Sequence, residues 1–234
     1  MQLLISVTDV VEAQAALSGC ADIIDLKNPA EGALGAASVL ALREVCAMLP
    51  PDRPGSAALG DSNTPAGALA LAAYAAAQLN VRYVKVGLAQ IEPEAAVALL
   101  QIVQSGMRLA NPACQLVAVA YADAHLFNAV SWRLLPEIAA AAQVWGCMID
   151  TAVKDGRNLF DHCSERELES WLANCHQAGL ATALAGSLGL AQLPAVRHLQ
   201  PDVVGFRGAA CRGDRAQGRV EATLVAQLHT ALFA

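Results

Sequence analysis

The residues of this chain most able to do covalent chemistry are its lysines. Fifteen residues of the 234 are cationic, and only Lys27, Lys85 and Lys154 are lysines; the other twelve are arginines. Each lysine lies within or just after a short apolar run: Ile24-Asp25-Leu26-Lys27-Asn28-Pro29, Val84-Lys85-Val86-Gly87 and Ile149-Asp150-Thr151-Ala152-Val153-Lys154. Arginine can supply positive charge anywhere on a surface, but it cannot supply a primary amine. An amine attacks a carbonyl to give an imine, which then serves as an electron sink for C–C bond chemistry. That requires a neutral amine, so the usual pKa of about 10.4 must be lowered, by burial or by neighbouring ammonium groups. Asp25 lies two residues before Lys27 and projects to the same strand face, and Asp150, four residues before Lys154 at the end of the sixth strand, could serve that lysine in the same way. Either carboxylate could move protons or hold an amine. One Asp/Lys pair alone reads as a structural ion pair; two pairs plus Lys85, with no lysine elsewhere, point to a site.

A second constellation is glycine-rich. Ala185-Gly186-Ser187-Leu188 and Gly205-Phe206-Arg207-Gly208-Ala209-Ala210 each follow an apolar run. Glycine lets backbone N–H groups approach an anion closely, so Gly186, Ser187, Gly208 and Ala209 are candidate phosphate contacts, with Arg207 as a charged partner. The five histidines, His125, His162, His176, His198 and His229, show no metal-ligand spacing. Ser187 lies outside any Gly-x-Ser-x-Gly elbow. No metal or cofactor is expected. Asp61-Ser62-Asn63 and Asp123 could line the same mouth or simply cap turns.

These residues need a scaffold that gathers strand ends. Short apolar runs alternate with alanine-rich or amphipathic segments: strands at 3–7, 22–27, 56–60, 83–88, 116–121, 147–151, 181–186 and 203–208, and helices at 10–17, 38–48, 65–79, from Pro93, 134–142, 165–178, 190–199 and 219–232. Thr64 reads as an N-cap with Pro65 at the first helical position, and Ser164-Glu165-Arg166-Glu167 as a capping box. Continuous apolar strands indicate a sheet covered by helices. Eight βα units without a dinucleotide or P-loop fingerprint favour a single (β/α)₈ TIM-barrel domain, an α/β fold, over residues 1–234. Such a barrel does its chemistry at the carboxyl ends of the strands, where all three lysines are expected.

Composition excludes other classes. The chain is 56% hydrophobic and only 15% charged, so it carries a large aliphatic core. A net charge of -6 argues against a nucleic-acid surface. Every apolar stretch is interrupted before the ~18 residues of a membrane span, and no cation precedes Lys27 to make a secretory leader. A cytoplasmic location is expected. Seven cysteines without a Cys-x-x-Cys pair read as reduced, mostly buried thiols. The apolar segment 66–79 could bury a subunit interface in a homo-oligomer or lie on the barrel wall.

At these residues the chain resembles a known family. Asp25-Leu26-Lys27-Asn28-Pro29, Glu31-Gly32-Ala33-Leu34-Gly35, Val84-Lys85-Val86-Gly87-Leu88, Asp150 to Gly156, Ala185-Gly186-Ser187-Leu188 and Gly208 to Arg215 look like the (5-formylfuran-3-yl)methyl phosphate synthases of methanofuran biosynthesis. The resemblance implies a TIM-barrel lyase that condenses two molecules of the triose phosphate glyceraldehyde 3-phosphate, releasing phosphate and water. It also implies that Lys27 forms the Schiff base and Lys85 accepts protons, assisted by Lys154, Asp25 and Asp150. The phosphate contacts rest on the fold alone. Two other readings compete. Another Schiff-base aldolase or phosphosugar barrel, such as a hexulose-phosphate synthase, shares Asp-x-Lys and Lys-Val-Gly, but Pro29 and Ala30 interrupt the acidic continuation that those barrels carry. A non-catalytic phosphometabolite-binding barrel has little reason to collect every lysine at one face.

Overall fold

The structure is a computed structural model that describes residues 1–127, 129–213 and 217–234. Eight parallel strands close into a barrel in sequence order: β1 (Gln2–Val7), β2 (Ile23–Leu26), β3 (Gly55–Asp61), β4 (Tyr83–Gly87), β5 (Gln115–Tyr121), β6 (Gly146–Asp150), β7 (Ala181–Leu184) and β8 (Val203–Phe206). β8 returns to β1 through Leu4 opposite Gly205. The helices between them are α1 (Val10–Ser18), α2 (Val39–Met48), α3 (Ala66–Gln78), α4 (Pro93–Ala110), α5 (Leu135–Ala142), α6 (Glu165–Gln177) and α7 (Leu193–Leu199), and α8 (Ala222–Phe233) follows the barrel. The TIM barrel expected from the alternation of runs is therefore what forms.

The core lies mainly between strands and helices. Outward strand residues such as Leu3, Ile5, Ile24, Val84 and Leu116 pack on inward helix residues such as Ala13, Val45, Leu69 and Leu100. Small side chains let the helices come close. An ideal Cβ at Gly106 of α4 would lie 2.7 Å from the Ala70 carbonyl of α3, so the α3–α4 crossing depends on glycine. All seven cysteines are free thiols, and among the described residues no helix is long and apolar enough to cross a membrane.

Local signals held where a side chain could act on its own backbone. Ser164 and Glu167 form the expected capping box at α6. Most boundaries shift by a few residues, and two shifts change how a helix begins. Pro65, not Thr64, is the N-cap of α3 and has extended backbone; the turn before it is bound to β4 through the Ser62 N–H and the Gly87 carbonyl, which delays the helix. Arg219 and Val220 do not start the last helix. They form β10 (Arg219–Val220), which pairs antiparallel with β9 (Cys211–Arg212), and α8 begins only afterwards.

Candidate active site

In a barrel of this kind, inward side chains from alternate strands lie in layers of four. The strand registers put Asp25, Lys85, Met148 and Gly205 at one level. Lys27, Gly87, Asp150 and Arg207 come next toward the carboxyl ends, and Ser6, Ala58, Val119 and Ala185 lie between the two levels. The period-two alternation of β2, β4 and β6 thus turns their polar residues inward. A cavity of about 390 Å³ opens above, lined by Ser6, Lys27, Asp150 and Lys154 and by segments 185–189 and 205–209.

Lys27 is buried at 6% exposure, borders this cavity, and donates through Nζ to the Ala33 carbonyl at 3.3 Å. Lys154 Nζ lies 3.1 Å from Asp150 Oδ1 and 2.9 Å from Thr151 Oγ1. Burial alone would raise the Asp150 carboxyl. The ammonium groups of Lys154 and Lys27, with the Thr151 N–H, outweigh it and hold the group at about 2. Asp150 is therefore an anion across the neutral range.

Lys85 sits lower than expected. It belongs to the level beneath Lys27, because the inward position at the top of β4 is Gly87, and it borders a small cavity with Ser56, Tyr83 and Trp145. Its partner is also different. Asp25 faces Lys85, with Oδ1 2.7 Å from Nζ, rather than Lys27. The two side chains share a layer on alternate strands, whereas Lys27 is a level higher. That contact is an ion pair without regular hydrogen-bond geometry at Oδ1. Asp25 Oδ2 accepts from Ser6 Oγ at 2.9 Å. Ser6 lines the open cavity, so Lys85 connects to it through Asp25.

The glycine-rich loops stand side by side on the cavity. Gly186 has φ of +110° and its ideal Cβ would lie 3.0 Å from Thr151 Cγ2, so both backbone conformation and the loop after β6 demand glycine there. Ser187, Gly208 and Ala209 line the same wall. Arg207 lines it too, but its Nη1 is turned away to Glu12 Oε2 at 2.9 Å and the Ser6 carbonyl at 3.0 Å. Asp214 and Arg215, the end of the last matching motif, lie outside the described residues.

Asp123 proves to be a fastener: its carboxylate accepts the N–H groups of Ala152 and Val153 at 2.9 and 2.7 Å, and so fixes the segment that carries Lys154. Asp61 reaches the barrel mouth, where the Tyr121 hydroxyl donates to its Oδ1. Ser6, Glu12 and Tyr121 were not legible as site residues. Glu12 follows Asp9 at capping-box spacing and does accept the Thr8 N–H, which disguises its second role as the partner of Arg207. Tyr121 and Ser6 were visible only as residues of apolar strands.

A buried amine beside an ionised carboxylate, a second Asp/Lys pair reached through a serine, and two adjacent glycine loops together suit imine chemistry on a small anionic carbonyl compound. Comparison with known proteins identifies the family. A family profile described as 4-HFC-P synthase matches residues 3–229. A (5-formylfuran-3-yl)methyl phosphate synthase from Methanopyrus kandleri is 42% identical over 233 residues, covering 99% of this chain and 98% of that protein. Its namesake from Methanocaldococcus jannaschii is 40% identical over 230 residues, covering 97% and 98%. Among solved structures, phosphoribosyl anthranilate isomerase from Thermus thermophilus superposes with a TM-score of 0.66 at 14% identity, covering 100% of this chain and 98% of the other. For 3-hexulose-6-phosphate synthase the TM-score is 0.62 at 19% identity, with 99% and 100% covered. At such identities these two bear on the fold only. The full-length profile match and the relatives near 40% identity show that the chain belongs to the 4-HFC-P synthase family.

Proposed function

We propose that this protein is a carbon–oxygen lyase that condenses two molecules of glyceraldehyde 3-phosphate into (5-formylfuran-3-yl)methyl phosphate, a step toward methanofuran-type cofactors. Two C₃H₇O₆P give C₆H₇O₆P, one H₃PO₄ and two H₂O, so the reaction is an aldol-type bond formation followed by eliminations and ring closure. No external oxidant or reductant is needed.

In this reading Lys27 is the nucleophile. Its amine adds to one triose carbonyl, water leaves, and the protonated imine draws electrons from the adjacent C–H bond. Lys85 first gives up the proton of its resting ammonium and, as the neutral amine, accepts protons through Asp25 and Ser6, while Lys154 and Asp150 assist transfer and elimination at the mouth. The N–H groups around Gly186, Ser187, Gly208 and Ala209 hold phosphate, and Arg207 supplies positive charge behind them. The observation that carries the reading is the position of Lys27: buried, on the cavity, beside the ionised Asp150 and across from both glycine loops. Seven free thiols suit a reducing compartment such as the cytoplasm.

The test is an assay of the purified protein with glyceraldehyde 3-phosphate, following furan absorbance and inorganic phosphate together. One phosphate per furan is expected. Sugar bisphosphate formed without phosphate release would mean an ordinary aldolase, and no turnover at all would leave a binding barrel.

A further inference from the structure

Opposite the glycine loops, β3 and β5 hold a polar pair that the proposed reaction leaves unused. The Tyr121 hydroxyl donates to Asp61 Oδ1. Tyr121 pairs directly with Asp150 in the β5–β6 ladder, so the two side chains leave the wall together. Gly87 makes the room. An ideal Cβ at that position would lie 1.8 Å from Asp61 Oδ1 and 2.6 Å from the Tyr121 hydroxyl. A core position of β4 is thus bare so that a carboxyl and a phenol can enter the level of Lys27 and Asp150. Leu34, fully buried, belongs to one apolar cluster with Ala58, Val119, Tyr121, Met148 and Ala185. The loop that delivers Leu34 is tied to the lysine through the Ala33 carbonyl and Lys27 Nζ.

The eliminations proposed above need a donor for the departing oxygen, and this argument rests on that proposal. Asp150, held at about 2, has no proton to give. Asp61 has the opposite bias: burial raises its carboxyl, the Tyr121 hydrogen bond opposes this, and the charge of Asp150 raises it further. Burial, Asp61, Asp150 on β6 and Asp123 after β5 all keep the phenol protonated.

We infer that Tyr121 is the proton donor to a departing hydroxyl and that the partly exposed Asp61 recharges it, the buried phenol being uncovered when the loop carrying Leu34 lifts. An ammonium offers three N–H donors and an iminium one, so imine formation at Lys27 weakens the tie to Ala33 and couples lifting to the first covalent step. In the elimination, the C–H electron pair becomes the C=C bond as its proton passes to a lysine amine. The C–O pair leaves with the oxygen, and the Tyr121 proton completes water. Asp61 reprotonates the phenolate, and solvent exchange returns the proton held by the lysine.

The test uses Tyr121→Phe and Asp61→Asn in the full chain, measured for furan formation, for borohydride trapping of glyceraldehyde 3-phosphate on Lys27, and for thermal midpoint. Tyr121→Phe should lower kcat ~100-fold or more while trapping stays within about threefold of the unaltered protein. Asp61→Asn, which keeps an acceptor but has no carboxyl proton, should remove one limb of the pH–kcat profile. Undiminished turnover in Tyr121→Phe overturns the inference. So does loss of trapping in parallel with turnover, which would make the pair a prop for the lysine site. If both variants fail to fold, 3-fluorotyrosine at position 121 keeps the shape and lowers the phenol pKa; an unmoved pH–kcat profile then overturns it. Absence of a Lys27 adduct in the unaltered protein is a separate result, one that overturns the Schiff-base reading itself.

Discussion

The ammonium of Lys85 and the carboxylate of Asp25 meet at 2.7 Å inside the barrel, with their side chains 3% and 0% exposed. Two charges so placed have lost their hydration, and the pair is tolerable only because each neutralises the other. Removing one partner leaves the other alone in the core. Asp25→Ala should therefore cost about 3–5 kcal/mol in urea denaturation. The double variant Asp25→Leu/Lys85→Met should recover most of that stability and still make no furan. A single variant as stable as the parent would show that the pair carries little charge.

Asp150 gives a pH prediction with a definite sign. Its folded carboxyl lies at about 2, below the ordinary 3.8, so its contribution to stability is complete above about pH 4 and is lost as pH falls toward 2. Lys154→Met removes the foremost attraction that lowers it, so in that variant the acid loss should be smaller and should end at a higher pH. Denaturant midpoints across pH 2–6 for the parent, Lys154→Met and Asp150→Asn measure this. Identical acid limbs in the parent and Lys154→Met would contradict it.

Glu12 is predicted to matter far more than a helix cap. Loss of a cap costs ~1 kcal/mol. Glu12 is 1% exposed and also holds Arg207 at 2.9 Å, so Glu12→Leu should cost about 3–5 kcal/mol by equilibrium unfolding. A loss near the cap value would mean that Arg207 finds compensation elsewhere.

Gly87→Ala tests the room that β4 leaves. Its Cβ must displace the Asp61 carboxylate, so a destabilisation of about 1–3 kcal/mol is expected. Loss of the Tyr121–Asp61 hydrogen bond should appear as a shift in the ultraviolet titration of Tyr121. An unperturbed titration would contradict the packing described.

Much of this was legible in the sequence because it depends on local rules. The strands announce themselves as apolar runs, and Ser164 caps its own helix. Lys27, Asp150 and Lys154 lie where strand ends must converge once the barrel closes. What was not legible depends on register across strands distant in sequence. Nothing near Asp25 says that it faces Lys85 rather than Lys27, because that choice follows from the layers of a closed barrel. Nothing near Arg207 says that its guanidinium turns to Glu12, 195 residues away. The same holds for Gly87, whose missing side chain acquires meaning only beside Asp61 and Tyr121.

The central claim is that Lys27 is the nucleophile, and reduction of the reaction mixture tests it most directly. Protein incubated with glyceraldehyde 3-phosphate and borohydride should carry a covalent triose adduct on the peptide containing Lys27, seen by mass spectrometry, and Lys27→Arg should abolish both adduct and furan. Furan formed at a normal rate without any adduct on Lys27, or by Lys27→Arg, would contradict the account.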